Sequence, residues 1–162
     1  MIQVITIAAL LCVAVTFGLA LAHALELPGK MRLDRNTYGA VQAIYYPGFT
    51  YGGLVGELGG IVLLAAALLP LPYGTDRFWW TAAALALLVA VHAAYWLFTH
   101  PVNDFWVRDV ATTSAASRFF AAGSRAEGDW RAMRDRWERS HVLRAVLAGA
   151  SLLALAVGLT GP

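Results

Sequence analysis

Charge is scarce in this chain. Asp, Glu, Lys and Arg make up only 14% of its 162 residues against 59% hydrophobic, and the mean hydropathy of +0.61 excludes an ordinary soluble domain, in which about a quarter of residues are charged. Cysteine is almost missing. Cys12 stands alone, so neither an internal disulfide nor a Cys-rich metal motif can form, and burial as a small apolar filler suits the lone thiol. The formal net charge is only +2 and no nucleic-acid motif accompanies it. Basic loops are then explained by topology and anionic lipid, with nucleic acid excluded as a partner. There is no phosphate loop, nucleotide fingerprint or GxSxG elbow. A positively charged start is also lacking, and HALELPGK is not a small-residue cleavage site. The opening apolar run therefore reads as a retained helix rather than a signal peptide.

What the chain does contain is four apolar runs, Ile2 to Leu25, Tyr51 to Leu71, Phe78 to Thr99 and Val142 to Thr160. Each approaches the roughly 20 residues that a bilayer requires. The expected fold is all-α, a single membrane domain over 1–162 built as an up-and-down four-helix transmembrane bundle, with helices near 2–26, 51–71, 78–100 and 126–160. Lys30, Arg32 and Arg35 fall between runs one and two, and seven arginines from Arg108 to Arg139 between runs three and four, while only Arg77 lies in the opposite loop. The long loops should face the cytoplasm, with both termini outside an inner (cytoplasmic) membrane. Phe78, Trp79 and Trp80 mark one interface, and Tyr95, Trp96 and Phe98 approach the other.

Punctuation agrees with this plan. Pro70, Pro72 and Gly74 form a short outer turn, and Pro101 is expected to halt helix three just after His100. Residues Asn36 to Tyr46 suit a short interfacial helix ending at Pro47 and Gly48. Ser124 and Glu127 have capping-box spacing, which would start the fourth helix well before the membrane and extend it into the cytoplasm. The polar stretch from Asn103 to Gly128 could act as a lid. Gly52, Gly56 and Gly60 recur every four residues, which permits a close helix contact, either internal or in a homo-oligomer, and would keep Glu57 away from lipid.

Ionisable residues inside the spans define the candidate site. His23 and Glu26 close segment one, Glu57 lies just inside segment two, His100 ends segment three and His141 opens segment four. In an up-and-down bundle all reach the same end, and groups so costly in hydrocarbon point to a site when they gather at one depth. His92 lies about 12 Å deeper than His100 by helical rise, as the floor of a pocket. His92, Tyr95, Trp96, Thr99 and Asn103 share one helical face, and Trp130, Arg134, Trp137, His141 and Arg144 form a comparable stripe. Facing each other, the two stripes would line a cavity. Taken one at a time, interfacial histidines, a Glu57–Arg144 neutralising pair and tryptophan anchors are the plainer readings.

Several chemistries fit these residue types. Imidazoles and carboxylates at His23, Glu26, Glu57, His100 and His141 are ligands suited to iron or copper, and paired histidines could hold a haem, the less favoured cofactor. Cofactor-free catalysis is the third route, in which a His base beside an Arg removes a proton from an acidic aromatic compound and stabilises the anion.

The segments HALELPGKMRLDRNTYGAVQAIYYPGF, HPVNDFW and DWRAMRDRWERSHVLRAV, in that order, resemble the DUF1772 family of small four-helix membrane proteins, which includes the anthrone oxygenases. The resemblance spans nearly the whole chain. It implies oxygen-dependent oxidation of aromatic polyketide-type substrates, commonly without a tightly bound organic cofactor, with His23, Glu26, His100, Asn103, Trp137, His141 and Arg144 at matching positions. The expectation is an integral membrane oxidoreductase of oxygenase type for an anthrone- or quinol-like compound. Its partners are a hydrophobic small molecule and membrane lipid. His100, His141, Arg144 and Glu57 would be catalytic, while Trp96, Asn103, Trp137, Tyr95 and His92 would bind substrate. The alternative is a non-enzymatic haem- or metal-binding membrane protein, or a small subunit of a larger membrane complex.

Overall fold

The computed structural model describes residues 2–107 and 129–160, and among these every regular element is helical. Helix α1 runs Ile2–Lys30 and passes the expected end near residue 26, because Pro28 falls in its last turn. A proline there removes one N–H without stopping the turn that follows. The extension matters for what comes later, since it carries Lys30 onto the helix face of His23, seven residues earlier.

A tight turn leads to α2, Arg35–Tyr45, close to the short helix expected at 36–46. The Asp34 side chain caps it by accepting the Thr37 N–H at 2.9 Å, and that bond holds the Asp34 carboxyl below the usual carboxylate range. Tyr38, Gln42 and Tyr45 recur at i, i+4 and i+7, and this is the buried face of α2. Helix α3, Gly48–Leu68, follows directly.

Helix α4, Asp76–Ala94, begins at a Thr75 cap that accepts the Phe78 N–H at 3.2 Å. It does not stop at Pro101. A π-helical turn, Tyr95–Thr99, leads into α5, His100–Val107, so the expected end at His100 is corrected. The reason is local. Proline at position 101 cannot donate to the Leu97 carbonyl as a helical residue would, and the Arg136 guanidinium donates there instead at 2.9 Å. The wider turn also lets two consecutive residues, Thr99 and His100, face inward.

Helix α6 is described over Trp130–Thr160, 31 residues long. The capping box at Ser124 and Glu127, and most of the segment expected to act as a lid, lie outside the described residues.

Four stretches are long and apolar enough to cross a bilayer: Ile2–Lys30, Gly48–Leu68, Asp76–Asn103 and Trp130–Thr160. The protein is therefore read as an integral membrane protein. Its exterior agrees, with Val4, Leu11, Val62 and Leu153 among many large apolar side chains left exposed, as lipid allows. Tyr73, Trp79 and Trp80 are exposed near one end of α4, and Trp96 and Phe98 near the other. Phe78 and Phe98 are separated by roughly 30 Å of helical rise, about the thickness of the hydrocarbon core.

Small residues let the helices come close. The inner cluster is built on Ala9, Val13, Leu64, Ala84, Leu88 and Ala148. The glycine repeat of α3 serves an internal contact: Gly52 faces Leu19, Gly56 faces Cys12 and Thr16, and Gly60 faces Cys12 and Leu88. On α6, Gly149 faces Phe17, Gly158 faces Trp80, and the Ser151 hydroxyl donates to the Ala84 carbonyl at 2.8 Å.

A Cβ at position 56 would lie 3.1 Å from the Cys12 carbonyl oxygen and 3.2 Å from the Thr16 nitrogen, both backbone atoms that cannot rotate away. Gly56→Ala is expected to cost about 1–3 kcal/mol through overpacking. At Gly53 a Cβ meets nothing within 4 Å, so Gly53→Ala should be neutral or mildly stabilising. Denaturant titration in detergent compares the two. Equal effects would show that the α1–α3 approach does not limit stability.

Candidate functional site

Three residues of α6 organise a polar column through one end of the bundle. Glu138, His141 and Arg144 follow one another at three-residue intervals, which keeps them near one face and separates neighbours by about 4.5 Å along the axis. All three are buried. Each is met by groups from other helices, which gives the column three levels.

The outermost level is formed by Glu138, Lys30, Glu26, Tyr38 and Tyr45. Glu138 is 0% exposed and accepts the Tyr38 hydroxyl at 2.8 Å. The Lys30 ammonium, only 3% exposed, sits 2.8 Å from Glu26 Oε2 and 3.6 Å from Glu138 Oε1. It also lies over the Tyr45 ring at 4.5 Å. Glu26 Oε2 further accepts the Tyr45 hydroxyl at 2.5 Å. Burial, reinforced by the bond to Glu26, pushes the Tyr45 hydroxyl well above the ordinary phenol range, and burial next to the Glu138 charge does the same at Tyr38. Both phenols therefore remain donors. Two carboxylates around one ammonium would be repulsive without them.

The middle level is a packed aromatic cluster around two imidazoles. The rings of His23 and His141 stand 4.3 Å apart, and Trp137 lies 4.9 Å from His23 and 4.0 Å from His141. Tyr45 and Phe49 close the far side of His23 at 4.5 and 4.8 Å. Hydrogen bonding sets the tautomers. Lys30 can only donate, so His23 Nδ1, 3.2 Å from its ammonium, is an acceptor. His141 is the reverse: its Nδ1–H donates to the Trp137 carbonyl at 2.9 Å, which leaves Nε2 with the lone pair, 3.4 Å from Arg144 Nη1. A second branch runs from the Trp137 indole to Asn103 Oδ1 at 2.8 Å, from the Asn103 amide to the Tyr95 hydroxyl at 3.5 Å, and from there to His100 Nδ1 at 3.1 Å.

At the innermost level Arg144 Nη2 donates to Glu57 Oε1, and Glu57 Oε2 lies 3.2 Å from His92 Nδ1. The Trp96 indole donates to His92 Nε2 at 3.0 Å. Arg144 also lies over the Tyr95 ring at 5.3 Å. A carboxylate at this depth needs the guanidinium to offset its desolvation.

Most residues singled out in the sequence meet in this column. His23, Glu26, Trp137, His141, Arg144 and Glu57 form its spine, while Asn103, Tyr95 and His100 form its side branch. His92 and Trp96 are its innermost, partly exposed edge, and Trp96 contacts the rings of His92, Tyr95 and His100 rather than the imidazole pair. Sequence reasoning missed Lys30, Tyr38, Gln42, Tyr45 and Glu138. Lys30 lies past the apolar run that ends at Leu25 and so reads as a loop charge. Its spacing from His23 and Glu26, at i+7 and i+4, was the available signal.

Among the described residues no group of three or more His, Cys, Asp and Glu side chains could hold a metal ion. The five proposed ligands are divided between levels, and two cations stand among them: Lys30 pairs with His23 Nδ1 and Glu26 Oε2, and Arg144 with Glu57 Oε1. The described residues are therefore not arranged as a metal-ligand set. Polar atoms do remain unengaged. Glu138 Oε2, Arg144 Nε and both side-chain polar atoms of Gln42 are buried without a hydrogen-bond partner among the described residues.

No protein-family model, curated protein or solved structure matches this chain.

Proposed function

We propose that the protein is a membrane oxidoreductase of oxygenase type, acting without a metal on an anthrone- or quinol-like aromatic compound at the His141–Arg144 level of the column. One observation carries the reading: a buried imidazole has its basic nitrogen directed at a guanidinium among packed aromatic rings. A neutral His141 can take a proton at Nε2 because Nδ1–H is already committed to the Trp137 carbonyl. Arg144, with its Nε unengaged, supplies positive charge where the substrate oxygen becomes anionic. Trp137 provides a flat face for the ring system.

The reaction balances with dioxygen as the co-reactant. His141 takes one proton from the ring methylene and leaves an electron-rich carbanion conjugated with the carbonyl. Dioxygen accepts four electrons in all. One of its oxygen atoms becomes the new carbonyl, replacing both methylene hydrogens, and the other leaves with those hydrogens as water. The motif resemblance to the anthrone oxygenases supports the choice of substrate.

The finer topology belongs to the same proposal. An up-and-down order is supported by pairings that run in opposite directions along neighbouring helices. Phe17 and His23 meet Gly149 and His141, while Ala84 and Thr99 meet Ser151 and Ser140. Helix α6 is about 46 Å long at helical rise, more than the roughly 30 Å core, which supports its extension beyond the membrane. Lys30, Arg32, Arg35 and the α6 arginines from Arg131 to Arg139 at the end bearing the column favour a cytoplasmic placement in an inner membrane.

The test is catalysis itself. Protein purified into lipid nanodiscs is expected to convert anthrone to anthraquinone faster than empty discs, consuming one dioxygen per turnover, with elemental analysis showing no stoichiometric metal. A rate equal to that of empty discs discards the oxygenase reading.

A further inference from the structure

Between the last turn of α1 and α2 lies an open groove of about 430 Å³. Its walls are Leu25, Leu33, Val41 and Ile44, and its polar edge is Glu26 and Tyr45. Leu25 and Ile44 flank it at 71% and 75% exposure, so its rim is apolar. The groove is open rather than enclosed, so a bound molecule would be covered on one side only.

Charge decides what it could take. The Glu26 side chain is 43% exposed, whereas the Lys30 ammonium is almost wholly buried behind it. Lys30 and Tyr45 both bond to Glu26 Oε2. Lys30 stands nearer Glu26, at 2.8 Å, than Glu138, at 3.6 Å, so of the two carboxylates that share it Glu26 is the better compensated. Its capacity to accept another hydrogen bond is not exhausted, because an ionised carboxylate has about four acceptor positions. The polar edge offers acceptance, with the Tyr45 and Lys30 donors already committed. A neutral donor on an apolar body matches such an edge. The wall behind it leads to the imidazoles: the Tyr45 ring stands 4.5 Å from His23, and Lys30 reaches His23 Nδ1.

We propose that this groove binds hydroxyl-bearing aromatic molecules, the ring held between Leu25, Leu33, Val41 and Ile44 and the hydroxyl donating to the Glu26 carboxylate, with Tyr45 as the partition between groove and imidazole pair. As a route to His141 this rests on the oxygenase reading. As a binding site it stands on the groove alone.

Gly29 supplies the handle for a test. It lines the groove, and a Cβ there meets nothing within 4 Å, so a side chain can start from this position without a clash at its first atom. Equilibrium binding of tritiated 2-naphthol is measured on protein in nanodiscs, with empty discs subtracted and naphthalene as the control that lacks a hydroxyl. Saturable one-to-one binding of 2-naphthol is expected, at least tenfold tighter than that of naphthalene. Gly29→Ala should retain it, while Gly29→Trp and the smaller blocker Gly29→Leu should abolish it at an unchanged melting midpoint. Glu26→Gln should weaken 2-naphthol about tenfold and leave naphthalene unaffected, as loss of a charge-assisted bond requires.

Several results would overturn the proposal. Wild-type binding no greater than that of empty discs would assign the groove to lipid chains. Undiminished binding in both blocked variants would place the site elsewhere, and equal affinity for 2-naphthol and naphthalene would remove Glu26 from recognition. The access role is read separately: Gly29→Trp should raise KM for anthrone with kcat unchanged, and an unaltered KM would end the route while the binding site stands.

Discussion

Glu57→Leu is expected to lower stability by about 3–5 kcal/mol, the characteristic cost of leaving one member of a buried ion pair without its partner. The pair in question is Glu57 with Arg144, near the inner end of the column and flanked by His92. With Glu57 removed, the contacts left to the guanidinium among the described residues include His141 and the Tyr95 ring, neither of which carries a negative charge. The double variant Glu57→Leu with Arg144→Met is expected to recover most of the loss, because two apolar side chains of similar volume remove the desolvation burden together. Reversible unfolding in mixed detergent micelles, arranged as a double-mutant cycle, measures the coupling. A double variant as unstable as the sum of its two single variants would show that the pair is not what holds this end of the bundle. The double variant is also expected to be inactive even where it is stable, which would separate the structural role of the pair from its chemical one.

His141→Ala is expected to lower anthrone turnover by about 10²–10⁴-fold, the usual contribution of a positioned general base, with the folded state retained. The loss should fall on kcat, since the imidazole acts on the transferring proton more than on binding the ring. His23 provides the internal control. It lies 4.3 Å from His141 in the same aromatic surroundings, but the Lys30 ammonium stands 3.2 Å from its Nδ1, a tighter hold than the 3.4 Å between Arg144 Nη1 and His141 Nε2. His23→Ala should therefore act mainly on KM, through lost packing. If it reduces kcat as strongly as His141→Ala, the base is not His141 alone and the tautomer argument fails.

The bundle was legible because hydropathy and length are properties of the chain itself. A run of roughly 20 apolar residues with few charges has little choice in a bilayer but to close its own backbone hydrogen bonds as a helix. The glycines at 52, 56 and 60 marked a close contact for an equally local reason, since their spacing puts three missing side chains on one face. The stripe from Arg134 through Trp137 and His141 to Arg144 was readable on the same grounds, and all four residues are buried. Helix ends were less legible. The first helix was expected to end near residue 26 and Pro101 to halt the third, yet α1 continues to Lys30 and the third span continues into α5. At Pro101 the Leu97 carbonyl left without its usual helical donor is met by Arg136, 39 residues from Leu97, and no local spacing records that.

From the amino-acid order alone came the four spans, their aromatic margins and the gathering of imidazoles and carboxylates toward one end. The tertiary structure decided which of those groups are partners. It turned Lys30 from a topological charge into the buried centre of a Glu26–Glu138–His23 cluster, and it divided the proposed metal ligands into levels with two cations among them. The physical reason is range. Helix formation and membrane insertion are set by neighbours within a few turns, whereas the state of a buried charge is set by whichever opposite charge lies within a few ångströms, and here those partners are up to 108 residues away, as with Lys30 and Glu138.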